Sequence, residues 1–458
     1  MAYYILKSYK LSLPVLNIFA ALSRQRHCFF LDSSLNSGGL GRFSFLGADP
    51  YFVLRTDNKN PFAIMRQLLE CGSAASYRKN IPFWAGAVGY LSYDLGFTLE
   101  GSVKKRKKPA SGVPECVFGF YNTAVIVDHY KRLLYVLSLG LPEKKSSLVK
   151  KLAELNFKKL RSLLAQAETR RHAGGPDELL GHQPARINSD FSRNDYIKAV
   201  KLAKEYIRRG DIYQVNLSQQ FNARSGLSGQ EIYRRLRLAS PACFSAYFDA
   251  GDFQIISSSP ERFLKLERGA VSTRPMKGTR PRADQPLLDK KHRQELLASA
   301  KDKAELLMIV DLERNDLGRV CDYGSVTAPR LRQLEKYRTV FQTTATVTGS
   351  LHKTKDRLDL LEACFPGGSI TGCPKIRAME IIEELEPARR GIYTGSLGYL
   401  SFSGGMDFNI MIRTILKKGD RLSFGAGGGI VADSDPAAEY EETLIKAKGM
   451  FEAIGRQV

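Results

Sequence analysis

Apolar residues fall in short β-type runs through the first part of the chain. Tyr51–Arg55, Ala85–Leu91 and Thr123–Asp128 are rich in β-branched and aromatic residues and are bounded by Gly, Pro and Asn/Asp clusters, so each is predicted to be a strand. The spacing changes from Glu143 to Ala167, where Leu148, Leu152, Leu155, Leu160, Leu163 and Leu164 recur near the helical period among lysines. An amphipathic helix is expected there. Residues 168–186, which include Gly174-Gly175-Pro176, read as a loop. A helix then starts at an N-cap Ser192, with Asp195 three residues on, and runs through Tyr196, Val200, Ala203 and Ile207 to Gly210. Strands are expected at Gln214–Phe221, Phe244–Phe248, Gln254–Ser257, Gly398–Phe402 and Arg421–Phe424. This pattern divides the chain into residues 1–140, a basic helix and linker at 141–187, and residues 188–458. No repeat of solenoid period is present.

Composition narrows the class. The 458 residues are 43% hydrophobic, enough for a large core and too many for a disordered chain. No apolar run approaches the ~18 residues that span a bilayer. Lysine and tyrosine interrupt the N-terminal apolar positions where a secretory signal would be continuous, so a cytoplasmic protein is expected. The seven cysteines are scattered without a Cys-x-x-Cys pair and read as reduced thiols. The net charge of +22 admits either a nucleic-acid partner or an anionic substrate. The run Lys104–Lys108 before Pro109 reads as a solvated loop.

Candidate chemistry lies in the last part of the chain. Lys277 follows a predicted strand in a short Pro-bounded loop, next to Gly278, and desolvation there would make its amine a nucleophile. Glu261 lies upstream in Ser259-Pro-Glu-Arg-Phe263. Asp302 and Glu305 are one helical turn apart. Pro436 suits the first position of a helix on which Glu439, Glu442 and Lys446 share a face. Carboxylates on two helices match Mg²⁺, which takes one or two protein carboxylates and completes its shell with water and substrate oxygens. The turn Phe365–Lys375 leads into a helix at Pro374, but Cys373 stands where a Walker loop needs lysine. Gly425-Ala-Gly427-Gly-Gly429 reads as a second Gly-rich turn, able to hold a carboxylate or to form a strand-end bulge.

Together these segments resemble the chorismate-utilising enzyme family. The resemblance is carried by Gly210–Ser218, Ser259–Phe263, Lys301–Glu305, Val310–Gly318, Phe365–Lys375 and Gly425–Glu442. In the N-terminal part it is carried by Phe29–Ser34, Gly41–Gly47 and Val88–Asp94. It implies an α+β fold of large antiparallel sheets in a sandwich flanked by helices, with residues 1–140 similar to a regulatory, tryptophan-pocket part. Asp32, Ser33 and Ser34 are the candidates for that pocket. Residues 188–458 would be the chorismate-binding catalytic part.

The resemblance also implies roles. Mg²⁺ would be held by Glu305 and Glu442, with Glu439 and Asp302 nearby. The amides of Gly427, Gly428 and Gly429, with Lys446, would meet the ring carboxylate. Tyr393 and Arg413 would meet the enolpyruvyl carboxylate, with Thr371 and Gly372 in the same pocket. Lys277 would be the covalent nucleophile and Glu261 the general acid. Gln214 stands where water-adding members have a lysine base, and an amide cannot act as a base, so ammonia is the expected nucleophile. Lys277 stands where anthranilate-forming members have a small residue, which favours the branch that makes 4-amino-4-deoxychorismate, for p-aminobenzoate and folate, over the anthranilate branch. None of the six histidines forms a Cys-His glutaminase arrangement, so a separate glutamine amidotransferase subunit is the expected source of ammonia. A nucleic-acid-binding pseudoenzyme is the alternative from another class; no aromatic-interleaved basic motif supports it, and neither nucleic acid nor a membrane is an expected partner. Two departures stand out. Gln342 and Ala345 occupy positions where the family often has His and Ser, and Pro241-Ala-Cys243-Phe244 replaces a Pro-x-Pro-Phe/Tyr turn of the tryptophan pocket.

Overall fold

The computed structural model describes residues 3–36, 39–72, 81–106, 108, 112–169, 186–337 and 340–455. Among these, two antiparallel sheets of 12 and 10 strands face each other, with helices outside them. The fold is α+β, as expected. Aromatic contacts join the sheets, including Phe45 with Tyr399 at 5.4 Å and Tyr90 with Phe248 at 6.3 Å between ring centroids. Fully buried rings such as Phe29, Phe83, Trp84 and Tyr90 make this the main core, each contributing ~1.5–3 kcal/mol by leaving water.

Both sheets draw strands from either side of the 141–187 linker. Phe29–Asp32 pairs with Phe244–Asp249 in the first sheet, and Gly86–Leu91 pairs with Ser396–Ser401 in the second. Strands buried on both faces, such as Gly86–Leu91 and Cys116–Tyr121, appear as continuous apolar runs without alternation. The linker helix spans Ser146–Thr169 and lays Leu160 and Leu164 on the core; Leu155, assigned to the same stripe, is 62% exposed. The loop expected at 168–186 lies mostly outside the described residues. The helix Arg193–Arg208 is capped as its sequence indicated, Ser192 accepting from the Asp195 amide.

Three local expectations change. Lys277 sits in a strand, Met276–Pro281, paired with Val340–Ser350; the register shifts between Lys277 and Thr279, where Gly278 takes a φ of +73°. A bulge at a glycine in the left-handed region replaces the expected loop. Gly425–Gly429 forms no turn: it lies in the strand Arg421–Ile430, paired with Gln214–Arg224. The run at 104–108 is not wholly solvated, because Lys105 pairs with Glu115 at 2.6 Å and Lys108 with Glu383 at 3.5 Å. None of the described cysteines forms a disulfide, and except for Cys71 and Cys373 all are buried. No helix among the described residues is long and apolar enough to cross a membrane.

Candidate active site

The site forms where one sheet edge is left open. Strand Thr414–Lys418 pairs with Arg421–Ile430 only as far as Phe424, so from Gly425 onward that strand has a neighbour on one side only. Alternate backbone groups of Gly427–Ile430 therefore lack strand partners on this edge. The helix Pro436–Ala453 supplies one of them, Lys446 donating to the Gly427 carbonyl at 2.9 Å. Glycines are required along this edge for lack of space. A methyl group on Gly428 would lie 2.9 Å from Glu439 Oε2, and one on Gly429 would lie 3.0 Å from Gln214 Nε2 and 3.3 Å from Lys277 Nζ.

Those distances bring Lys277, Gln214, Gly428, Gly429 and Glu439 together, with Glu442 and Lys446 joined by a 2.7 Å ion pair beside them. Lys277 Nζ donates to the Ser369 carbonyl at 3.4 Å. Burial holds its amine below the usual lysine range, with Lys446 acting in the same sense and Glu305, Glu261 and Glu442 opposing. Glu261 is 5% exposed and accepts from Ser369 Oγ at 2.6 Å. Its carboxyl is pushed up to about 7 by burial, while the Ser369 bond and the charges of Lys277 and Lys446 pull it down. A desolvated amine thus lies beside a carboxyl poised near neutrality, the pairing that nucleophilic attack with acid assistance needs.

The helix Ala300–Gly318 brings Asp302 and Glu305 against the same strand. Asp302 pairs with Arg280 at 3.1 Å and packs at Gly278. Glu305 is raised by burial and lies in the field of Lys277. Glu439 is likewise raised by burial and accepts from Ser434 Oγ at 2.6 Å, whereas Lys446 holds Glu442 low. Among the described residues no three such side chains converge as a complete metal cage. The carboxylates of the two helices fit a cation that takes most of its ligands from water and substrate, the habit of Mg²⁺.

The remaining candidates are more dispersed. Thr371 is buried and bonded to the Gly367 and Gly368 carbonyls; Gly372 joins a two-residue strand against Gln214 and Val215, ahead of the helix Lys375–Leu385. The Tyr393 ring lies on Gly425, where a methyl group would collide with it. Burial holds the Arg413 guanidinium below its ordinary value, with Tyr337 opposing. Gln342 donates to Thr279 Oγ1 at 3.2 Å, two residues beyond Lys277, and Ala345 is buried.

Asp32 and Ser33 line a separate cavity of about 480 Å³, together with Phe43, Cys243, Phe244 and Tyr399. The Asp32 carboxylate already accepts from Arg237 at 2.6 Å and Tyr233 at 2.8 Å. Ser33 donates to Phe43 O at 2.6 Å and Ser34 to Ala242 O at 2.9 Å.

Sequence reasoning missed several supports of the site. Ser369 lies inside the Phe365–Lys375 turn, where nothing in the local sequence singles it out. Lys375 and Asp316 form a buried 2.6 Å ion pair that ties the turn's helix to the Asp302–Glu305 helix. Arg390 bonds Glu386 at 2.7 Å, the Ile370 carbonyl at 2.8 Å and the Asn216 carbonyl at 2.7 Å, so one guanidinium joins three segments of the pocket wall. Only the i, i+4 spacing of Glu386 and Arg390 was visible beforehand.

Comparison with known proteins agrees with this architecture. A family described as chorismate binding enzyme matches residues 26–452. Aminodeoxychorismate synthase component 1 of Klebsiella aerogenes is 38% identical over 444 residues, which is 93% of this chain and 94% of that protein. Anthranilate synthase component 1 of Pseudomonas aeruginosa is 35% identical, covering 96% of this chain and 92% of that one. In structure, anthranilate synthase component I from Streptococcus pneumoniae superposes with a TM-score of 0.77 at 32% identity, over 90% of this chain and 92% of that chain. The menaquinone-specific isochorismate synthase of Escherichia coli shares the fold, with a TM-score of 0.76 at 18% identity over 99% of this chain and 95% of that one. The chain belongs to the chorismate binding enzyme family.

Proposed function

We propose that this chain converts chorismate and ammonia into 4-amino-4-deoxychorismate, as component I of an aminodeoxychorismate synthase whose ammonia comes from a glutamine amidotransferase subunit. The observation that carries the reading is Lys277: a desolvated amine in the same pocket as Glu261, at the Gly429 edge where Gln214 supplies an amide and no base.

The neutral Lys277 amine attacks C2 of chorismate. Both ring double bonds shift, to C1=C6 and C4=C5, and the C4 hydroxyl leaves, taking the Glu261 proton and departing as water. Ammonia then attacks C4, both double bonds shift back, and the C2–N bond to Lys277 breaks, returning the lysine as a neutral amine. The new ammonium at C4 returns a proton to the Glu261 carboxylate, which balances the cycle, and the enolpyruvyl group is retained. Glu305 and Glu442, with Glu439 and Asp302 beside them, would hold Mg²⁺; when bound, the ion supplies positive charge to the ring carboxylate. The backbone of Gly427, Gly428 and Gly429 and the Lys446 ammonium are assigned to the same carboxylate, and Tyr393, Arg413, Thr371 and Gly372 to the rest of the substrate. The cavity lined by Asp32 and Ser33 is assigned to a regulatory amino acid, tryptophan being the candidate.

Mixing the protein with chorismate and Mg²⁺ without ammonia, then weighing the intact chain, tests the covalent step. An added mass of chorismate less one water, absent in Lys277→Ala, is expected; an unmodified wild-type chain in a preparation that turns over with ammonia contradicts it.

A further inference from the structure

Lys301 stands where helix stability gains nothing from it. It is the second residue of the helix Ala300–Gly318, and a positive charge in a first turn opposes the positive end of the helix dipole. Its partner within the helix is Glu305, four residues on, with Nζ 4.0 Å from Oε1. Lysine ahead of glutamate is the weaker order for such a pair, and the lysine side chain is 48% exposed. The charge acts across the carboxylates of both helices instead. Burial raises Glu305 and Glu439, and Lys446 lowers Glu442; on all three Lys301 acts in favour of the charged form.

These carboxylates crowd one another. Glu305 and Glu439 each lie in the field of Glu442, and a methyl group on Gly428 would lie 2.9 Å from Glu439 Oε2, 3.7 Å from Glu442 Oε1 and 3.8 Å from Lys446 Nζ. Like charges this close are costly unless a cation joins them. Three lysines reach them, and the three differ in freedom. Lys277 donates to the Ser369 carbonyl at 3.4 Å, and Lys446 is fixed between Glu442 at 2.7 Å and the Gly427 carbonyl at 2.9 Å. Lys301, held among the described residues only by its 4.0 Å contact with Glu305, is the one free to move. Its flexible four-carbon stem can carry the ammonium between the carboxylates and water.

We propose that Lys301 is a tethered counter-cation of the metal cradle: its ammonium balances Glu305, Glu439 and Glu442 in the metal-free protein, and Mg²⁺ displaces it into water, so that Lys301 sets how tightly the ion is held. The inference rests on the assignment of Mg²⁺ to these carboxylates and names the residue that controls their affinity. A singly charged ion gains no charge by replacing an ammonium, whereas Mg²⁺ gains one. The exchange therefore favours the divalent ion over Na⁺ and K⁺.

Calorimetric titration of Mg²⁺ alone into the metal-stripped protein, without chorismate and at low ionic strength, tests this. In Lys301→Gln the Kd for Mg²⁺ should fall about fivefold or more, because the competing cation is gone. Lys301→Arg keeps the charge and should stay within about twofold of wild type; so should Lys303→Gln, which makes the same change in net charge two residues away. Unchanged or weaker Mg²⁺ binding in Lys301→Gln overturns the counter-cation, and so does an equal gain in Lys303→Gln, which would reduce the effect to net charge. Glu442→Gln reports on the metal assignment itself. Mg²⁺ binding that persists undiminished in that variant, or that is absent from every protein including wild type, defeats the assignment, a result distinct from the other two.

Discussion

Ser369 Oγ donates to Glu261 Oε1 at 2.6 Å, and the carbonyl of the same serine accepts from Lys277 Nζ at 3.4 Å. One residue of a short turn thus sets the separation between the acid and the nucleophile. The turn is held in place by the Asp316–Lys375 pair.

The serine bond favours the charged form of Glu261, whose carboxyl stands at about 7. Catalysis needs the protonated form, so activity should fall as pH rises through neutrality. Removing the donor in Ser369→Ala should raise the Glu261 pKa and move the alkaline limb of kcat/KM to higher pH by roughly one unit. Glu261→Gln should abolish that limb and lower kcat ~10²–10⁴-fold with little change in chorismate KM. A pH–rate profile of the three proteins decides the point; an unmoved limb in Ser369→Ala removes Glu261 from the acid role.

Stability should respond to the same residue in the opposite sense. The folded carboxyl, at about 7, lies above its ordinary value of 4.5, so its contribution is fully present below pH 4.5 and is lost as pH rises through 7. The loss is on the order of 3 kcal/mol. Thermal denaturation at pH 8 should therefore show Glu261→Gln to be more stable than wild type, with the difference vanishing near pH 4. A mutant less stable at pH 8 would show that the carboxyl is not strained there.

Lys375 and Asp316 are 8% and 7% exposed in their side chains. Removing one partner leaves a buried charge, and Lys375→Met should cost about 3–5 kcal/mol. The double variant Lys375→Met/Asp316→Leu should recover most of that, as read by chemical denaturation. Activity should return less completely than stability, because the pair also places the Ser369 turn.

A single methyl group at the sheet edge should separate activity from folding. In Gly429→Ala the new atom would lie 3.0 Å from Gln214 Nε2 and 3.3 Å from Lys277 Nζ. Activity is expected to fall at least tenfold while the melting temperature moves by no more than a few degrees. Full activity would place the reaction elsewhere.

How much of this was legible beforehand depended on the range of the interactions. Ser192 announced its helix because a cap is settled within three residues, and Pro436 did the same for the helix that carries Glu439, Glu442 and Lys446. Lys277 was recognisable as a candidate, but its strand was not. Met276–Pro281 is a strand only because Val340–Ser350 pairs with it, and Gly278 in its bulge imitates a loop signal. The glycines at 425–429 misled for the same reason. A glycine run that reads as a turn is a strand here because Tyr393, Glu439, Gln214 and Lys277 occupy the space that side chains would take. The interleaving of strands from both ends of the chain, and the ties made by Ser369, Lys375 and Arg390, depend on segments distant in sequence. Periodicity cannot report such contacts.

The central claim is the identity of the product. The purified chain should be incubated with chorismate, Mg²⁺ and an ammonium salt, and the products identified by mass. The proposed chemistry predicts 4-amino-4-deoxychorismate, with the enolpyruvyl group retained and no pyruvate released. Anthranilate with stoichiometric pyruvate, or isochorismate, as the main product would contradict it.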